Sequence, residues 1–356
     1  MNLLEEARVE IDRIDREMAA LYEQRMNAVI NVVKYKKENG LPILDNSREA
    51  LILEKNVKYI QNEEYKPFYK EFMTSVISNS KNYQATVLST DVVAYAGVEG
   101  AFAHIASERI FPNNAKINFS SFEEVFEAVV NKKAQYGVIP FENTNSGLVG
   151  EVLDALLKYP VYIQKVVDQS IEQCLLGVPG STLKDIEWVY SKDQALAQAK
   201  NFLKNLKVQT ISYPNTAMAA QFVASQNDKT KAAIGAKEAA KLYGLEILAD
   251  KIEANTTNTT RFLVIGLEEP KAGNHTSVIV TVKHCVGSLE KLINAISACG
   301  LNMASIQSRP IKGKPFEYFF FIEVEGVIDP TYERILKNAC ESIKVLGTYP
   351  LIGKKE

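Results

Sequence analysis

The most constraining feature of this 356-residue sequence lies at its start: between Leu3 and Asn39 there is neither glycine nor proline. The intervening residues are good helix formers and Gly40 and Pro42 follow as a stop, so the run reads as one unbroken helix. At 1.5 Å per residue such a helix is about 55 Å long. Its apolar positions, Ile11, Ile14, Met18, Leu21, Val29 and Val32, form a stripe. The short helices that fit between Asn46 and Gln84 cannot cover that stripe along its length, so a second copy of the chain is expected to pack against it. The expected assembly is a homo-oligomer, a dimer or a tetramer. Helical patterns continue over residues 47–60 and 65–84, the second opening near Pro67, and residues 1–86 read as an all-α unit.

The texture changes near Ala85. VVAYAG (92–97) is a short apolar strand ending in glycine, and FAHIASERIF after it has helical spacing. The alternation recurs as SFEEVFEAVVNKK before YGVIPFE, as VYIQKVVDQSIEQCLLGV, as WVYS before a helix through Phe202, and as AAIG before a helix through Leu242. An α/β unit over residues 91–268 follows. EEPKAGNH (268–275) is a polar connector. Beyond it, TSVIVTVKH, a helix over 288–299, NMASIQSRP, PFEYFFFIEVEG and a helix over 330–343 give the order β-α-β-β-α, completed by KVLGTYP. That is the order of a ferredoxin-like α+β unit, here residues 276–352.

Charge sets limits on partners. The 41 basic and 43 acidic residues leave a net charge of −2, which gives no global attraction to nucleic acid or to an anionic membrane. Any anion site must be local. No stretch approaches the roughly 20 apolar residues of a bilayer span, and MNLLEEARVEIDRIDRE alternates charge where a signal peptide is apolar, so a cytoplasmic chain is expected. Four cysteines without CxxC spacing and three histidines form no ligand set, so neither disulfides, nor a metal site, nor a His-dependent triad is expected.

Within the helical unit, Arg25 and Lys36 are eleven residues apart, about 20° past three full turns, and project from one face about 16 Å apart. Asp45, Arg48 and Glu49 follow the Pro42 turn, where a returning helix could bring them to the same ligand. Arg8 is offset from Arg25 by roughly 100° and faces a different neighbour. Taken singly, these charges suit a solvated helix with i, i+4 pairs. As a set, Arg8, Arg25, Lys36, D-x-x-R-E at 45–49 and S-x-x-x-Q at Ser80 and Gln84 resemble the all-helical chorismate mutase pattern. The resemblance implies two intertwined chains with two sites, Arg8 crossing into its partner's. It implies that Arg8 and Arg25 clamp two carboxylates with help from Arg48 and Ser80. Lys36 and Gln84 would donate to the ether oxygen, and Glu49 with Asp45 would hold the ring hydroxyl. The pericyclic rearrangement needs charge complementarity and a compact conformer, and no cofactor.

In the middle unit three segments carry polar chemistry at strand or turn ends: G-x-x-G-A-F-A-H (97–104), V-I-P-F-E-N-T-N-S-G (138–147) and N-T-T-R-F (258–262). The first can be an anion-binding helix start or merely a tight turn. The second follows a buried-type strand, where ligands collect in open α/β sheets. In this order they resemble prephenate dehydratase, with YGLEIL (243–248) and IEAN (252–255) as further matches. The resemblance implies a two-subdomain domain like periplasmic binding proteins. It makes Thr260 the hydroxyl that bonds the departing ring hydroxyl of prephenate, and Arg261 a residue that fixes the substrate. Glu142, Asn143, Thr144, Ser191, Gln194, Gln198 and Phe262 would line the same cleft. Gln173 and Lys192 stand where many members carry histidine.

At the carboxyl end, Gly287, Ser288 and Leu289 open a helix, and Gln307, Ser308, Arg309 and Pro310 follow on a strand. They resemble the G-A-L and E-S-R-P segments of the ACT domain, which implies an L-phenylalanine effector site; a domain that only dimerises is the plainer reading. The three resemblances together, in order along the chain, point to the bifunctional chorismate mutase and prephenate dehydratase family of phenylalanine biosynthesis. A mutase joined to a non-catalytic aromatic-acid sensor is the alternative.

Overall fold

The computed structural model describes residues 2–38, 46–88, 91–112, 114–253, 258–270 and 272–352, apart from the side chains of residues 36–38, 46–50, 78, 81–82 and 85–88. The chain forms two compact units, one of residues up to 92 with 114–117, the other of the remainder.

The first unit is helical: α1 (Leu3–Glu38), α2 (Asn46–Val57) and α3 (Lys66–Leu88). α2 ends three residues before the sequence pattern suggested, and α3 is entered through one 3₁₀ turn whose start is capped by the Asn62 side chain accepting from Glu64 N. α3 packs on α1 and α2, and the buried side chains there are Val33, Met73, Val76, Ile77 and Ser80. Residues 2–24 of the chain are all exposed, including Ile11, Ile14, Met18 and Leu21. An α-helix that leaves its apolar stripe in water is a helix waiting for a partner surface.

The second unit has three sheets. Its first lobe contains β1 (Val93–Ala96), α4 (Phe102–Ile110), β2 (Lys116–Phe119), α5 (Phe122–Val130), β3 (Tyr136–Asn143), β4 (Gly147–Leu148), α6 (Gly150–Lys158) and β5 (Tyr162–Ser170). The second lobe contains β6 (Cys174–Gly177), β7 (Trp188–Ser191), α7 (Asp193–Gln198), α8 (Lys200–Leu206), β8 (Gln209–Ser212), α9 (Thr216–Gln226), β9 (Lys231–Gly235), α10 (Lys237–Tyr243) and β10 (Glu246–Ala249). The chain then returns through β11 (Thr259–Gly266) to the first sheet. The ferredoxin-like end comprises β12 (His275–Thr281), α11 (Ser288–Ala298), β13 (Asn302–Pro310), β14 (Tyr318–Glu325), α12 (Pro330–Ala339) and β15 (Ser342–Tyr349), and β16 (Leu351–Ile352) closes the described chain.

The first sheet runs β16-β5-β11-β3-β1-β2 with β4 hung on β3, the second β10-β6-β9-β7-β8, the third β13-β14-β12-β15. β3 and β11 read as near-continuous apolar runs because both their faces are covered. On one side lie α4 and α5; on the other Phe141 meets Phe321 of β14 with ring centroids 5.0 Å apart. A capping box fixes the start of α5: Ser121 accepts from Glu124 N while Glu124 accepts from Ser121 N. Two crossings join the lobes, and they bond to each other: Ile171 N donates to Asn258 O at 2.9 Å, and Ile252 N donates to Gln173 O at 3.0 Å.

Two expectations need correction. The helix after β7 is broken at Ala199 into α7 and α8. The last helix stops at Ala339, and residues expected to continue it join β15, where pairing with β12 outweighs local helix preference. The short strands β2, β4, β8, β10 and β16, of two to four residues, carry too few residues for a periodicity to show.

Candidate active sites

In the helical unit, the packing of α3 along α1 brings Arg25 to Ser80. The guanidinium donates to Ser80 Oγ, and that hydroxyl donates to Val76 O at 2.8 Å, one turn back on its own helix. Ser80 is buried, so its two bonds hold the arginine in one place. One turn further on, Gln84 lies on the same face of α3. Its side-chain Oε1 is buried and has no hydrogen-bond partner among the described residues, a cost normally avoided unless a ligand supplies the partner. Arg8 is exposed, and seventeen residues place it about 26 Å along the helix from Arg25, out of reach of that site in its own chain. The side chains of Lys36, Arg48 and Glu49, and the whole of Asp45, lie outside the described residues.

In the α/β unit, β3 and β11 pair antiparallel so that Thr260 stands opposite Asn143 and Arg261 opposite Glu142. Asn143 is a hub. Its Nδ2 reaches Asn258 Oδ1 at 2.8 Å and Thr260 Oγ1 at 2.9 Å, while its Oδ1 accepts from Asn145 N at 3.0 Å and Ser146 N at 3.2 Å. Thr144 Oγ1 accepts from Thr259 N at 3.1 Å, lacing the same two strand ends together. Because Asn143 donates to the Thr260 oxygen, the threonine's own hydrogen is left over. No described residue accepts it.

Arg261 belongs to the next row. Its Nε meets Asp168 Oδ1 at 3.3 Å and its Nη1 lies 3.7 Å from Glu142 Oε2. Successive side chains of a strand point to opposite faces, so the Glu142–Arg261–Asp168 row is directed away from the Asn143–Thr260 row rather than lining one cleft with it. Phe262 is 1% exposed and packs with Val93, Tyr95 and Val264 in the core of the lobe. From the second lobe, Gln198 is tied to the cluster, its Oε1 accepting from Asn258 Nδ2 at 3.4 Å. Ser191 is fully buried and spends its hydrogen on Ile234 O at 2.8 Å, and Gln194 is exposed on α7. The G-x-x-G segment is a turn that satisfies itself: Gly97 N donates to Phe119 O and Gly100 N to His104 Nδ1. Its outer side is taken by Tyr243, whose hydroxyl donates to Glu99 O at 2.6 Å.

In the ferredoxin-like end, Gly287 caps α11 in the left-handed region, φ +82°, with no side-chain capping bond, and Ser288 Oγ lies 2.9 Å from Cys285 Sγ. Leu289 packs into the core of that end. Gln307, Ser308 and Pro310 pair with β14. Arg309 turns to α6 of the first lobe, where Asp154 accepts from both its Nε and its Nη2; that pairing holds the Asp154 carboxyl below its ordinary pKa. Sequence reading missed Asp168, Asp154 and Lys344. Each is an ordinary charged residue whose partner lies far along the chain, and only strand pairing or helix packing reveals the match.

These features define a multidomain enzyme: an arginine–serine site on helices, a hydroxyl–carboxamide site at the strand ends of a two-lobed α/β unit, and a ferredoxin-like end. The family described as prephenate dehydratase matches residues 93–270, and that described as chorismate mutase type II matches residues 7–85. A bifunctional chorismate mutase/prephenate dehydratase of Aquifex aeolicus is 34% identical over 98% of this chain and 98% of its own. A solved structure described as a novel type of quorum quenching acylase covers 73% of this chain and 98% of its own at 29% identity and a TM-score of 0.68. A prephenate dehydratase of Arthrobacter aurescens solved with L-Phe covers 73% and 89% at 24% identity and a TM-score of 0.67, a likeness of fold. The chain belongs to the bifunctional chorismate mutase/prephenate dehydratase family. It is an isomerase that rearranges chorismate to prephenate and a lyase that carries prephenate to phenylpyruvate, in phenylalanine biosynthesis. Among the described residues, no helix is long and apolar enough to cross a membrane.

Proposed function

We propose that residues 1–86 hold the mutase site, residues 91–268 the dehydratase site, and residues 276–352 an ACT domain that takes L-phenylalanine and restrains the dehydratase. The dehydratase reading is carried by one observation: a Thr260 hydroxyl that Asn143 orients and whose hydrogen no described residue accepts. Loss of carbon dioxide and of the ring hydroxyl aromatises prephenate. Aromatisation supplies the driving force, so a hydroxyl donor in a dry cleft is enough to help the leaving group depart. Gln198 and Asn258 frame the same place. Arg261, held between Glu142 and Asp168 on the opposite face, braces the strand ends that carry Thr260 and Asn143 rather than touching substrate.

In the mutase, Arg25 steadied by Ser80 clamps a carboxylate, Gln84 through its Nε2 and Lys36 donate to the ether oxygen as its bond breaks, and Arg48, Glu49 and Asp45 complete the pocket. Arg8 acts in the partner's site. The wholly exposed stretch of residues 2–24 supports a dimer built on α1. Phenylalanine is taken up at residues 287–289 and 307–310, in a cytoplasmic enzyme.

The test gives the purified chain chorismate at neutral pH and follows prephenate and phenylpyruvate separately, quenching without acid because acid itself converts prephenate. Wild type yields phenylpyruvate. The Thr260→Ala variant accumulates prephenate, and undiminished phenylpyruvate from that variant would refute the assignment of Thr260.

A further inference from the structure

The carboxyl-terminal sheet holds α6 at both ends. At the far end Lys344, on β15, donates to Leu156 O at 2.6 Å, a carbonyl that the last turn of a helix cannot satisfy itself, and to Tyr159 O at 2.5 Å, which also accepts from Val161 N. Toward the near end Arg309 grips Asp154 with two parallel bonds, and Lys312 Nζ adds a second cation 3.0 Å from the same carboxylate. The Asp154 side chain is only 15% exposed, so this pair is sheltered in a way that surface pairs are not. The guanidinium lies directly over Gly150, the first residue of α6: a Cβ there would collide with Nη1.

α6 begins seven residues after Asn143, and the chain between has no slack. Asn143 Oδ1 binds the turn, β4 folds back so that Gly147 faces Asn143, and Val149 N donates to Phe141 O at 2.8 Å. Where α6 goes, the turn that carries Asn143 goes with it.

We propose that Arg309 is a positioning residue of the dehydratase: by holding Asp154 it fixes α6, and through α6 the turn that presents Asn143 to Thr260. This rests on the assignment of Asn143 and Thr260 to the dehydratase site. It also gives the regulation of that site a physical route, since a ligand that draws Arg309 off Asp154 slackens the Asn143 turn, and by reciprocity prephenate bound at a taut turn disfavours that ligand.

The test uses the full chain with prephenate and no phenylalanine, comparing Arg309→Ala, Asp154→Ala and the double variant. Each single change is expected to lower dehydratase kcat roughly tenfold, the scale of a small misplacement at a reacting centre. The double variant is expected to be no worse than either single, the signature of a shared interaction. Arg309→Lys, which keeps the charge and loses the fork, recovers part of the activity. Mutase turnover, made in the other unit, stays unchanged, and a wild-type circular dichroism spectrum with a cooperative melt reports a folded second unit; if Arg309→Ala does not fold, Gly150→Ala, which displaces the guanidinium without removing it, must reproduce the loss. An arginine that serves only as an effector contact leaves phenylalanine-free kcat untouched and alters inhibition alone. That outcome, or additive losses, overturns the proposal. Thr260→Ala run alongside separates the two claims: full activity there removes the site assignment, whereas an inactive Thr260→Ala beside an unaffected Arg309→Ala removes only this one.

Discussion

A carboxamide that gives its hydrogen to a hydroxyl decides where that hydroxyl's own hydrogen can go. Asn143 does this to Thr260 at 2.9 Å, and the geometry predicts a graded response to substitution. Thr260→Ser keeps the oxygen and should retain most dehydratase turnover, while Thr260→Val keeps the shape and should lose roughly 100-fold or more, the scale of removing one donor that meets developing charge. Near-equal rates for threonine and valine would remove the hydroxyl from the mechanism. Ser80 plays the opposite part, as an anchor for Arg25 rather than a group that meets substrate. Ser80→Ala is therefore expected to raise the mutase KM for chorismate by roughly 10- to 100-fold with dehydratase kinetics on supplied prephenate unchanged, since losing a bond to a charged group costs about 1.5–3 kcal/mol. Of these residues, Thr260, Asn143, Arg25 and Ser80 were singled out through the family resemblance that their motifs carry. Asp168 was not, because its link to Arg261 exists only once β5 lies beside β11, 93 residues away in sequence.

At the scale of elements, Lys344 makes a prediction about pH. Burial pulls its pKa from 10.5 to about 8. The native form then holds fewer protons than the unfolded chain between those values, so this group's contribution to stability rises as pH climbs through that window. Melting temperatures at pH 7.5 and 9.5 should therefore favour wild type over Lys344→Met more strongly at the higher pH; parallel changes in the two proteins would show that Lys344 does not titrate there. The element order was legible because glycine and proline punctuate it and apolar spacing changes from helical to alternating. The end of α12 was not. Its continuation has no local stop signal, and residues 342–349 are pulled into β15 by the β12 edge they complete. Likewise the break at Ala199 divides a segment whose sequence is uniformly compatible with helix.

At the scale of the whole molecule, the apolar face of α1 is the unfinished part. Subunits of Arg8→Ala and of Arg25→Ala should each lack mutase activity, and mixing them with verified exchange should restore some, because mixed dimers contain one site with neither change. No recovery would place Arg8 outside the partner's site. The expectation of a partner came from the length of a helix too long for its neighbours, and the structure adds that residues 2–24 are all exposed. That bareness has a kinetic consequence. On the proposed reading the dehydratase cluster lies within one chain, whereas the mutase pocket is completed by two. Dilution should then silence the first reaction of the sequence before the second, and the ratio of the two rates, measured on one sample across a concentration series, becomes a built-in gauge of how much of the protein is paired.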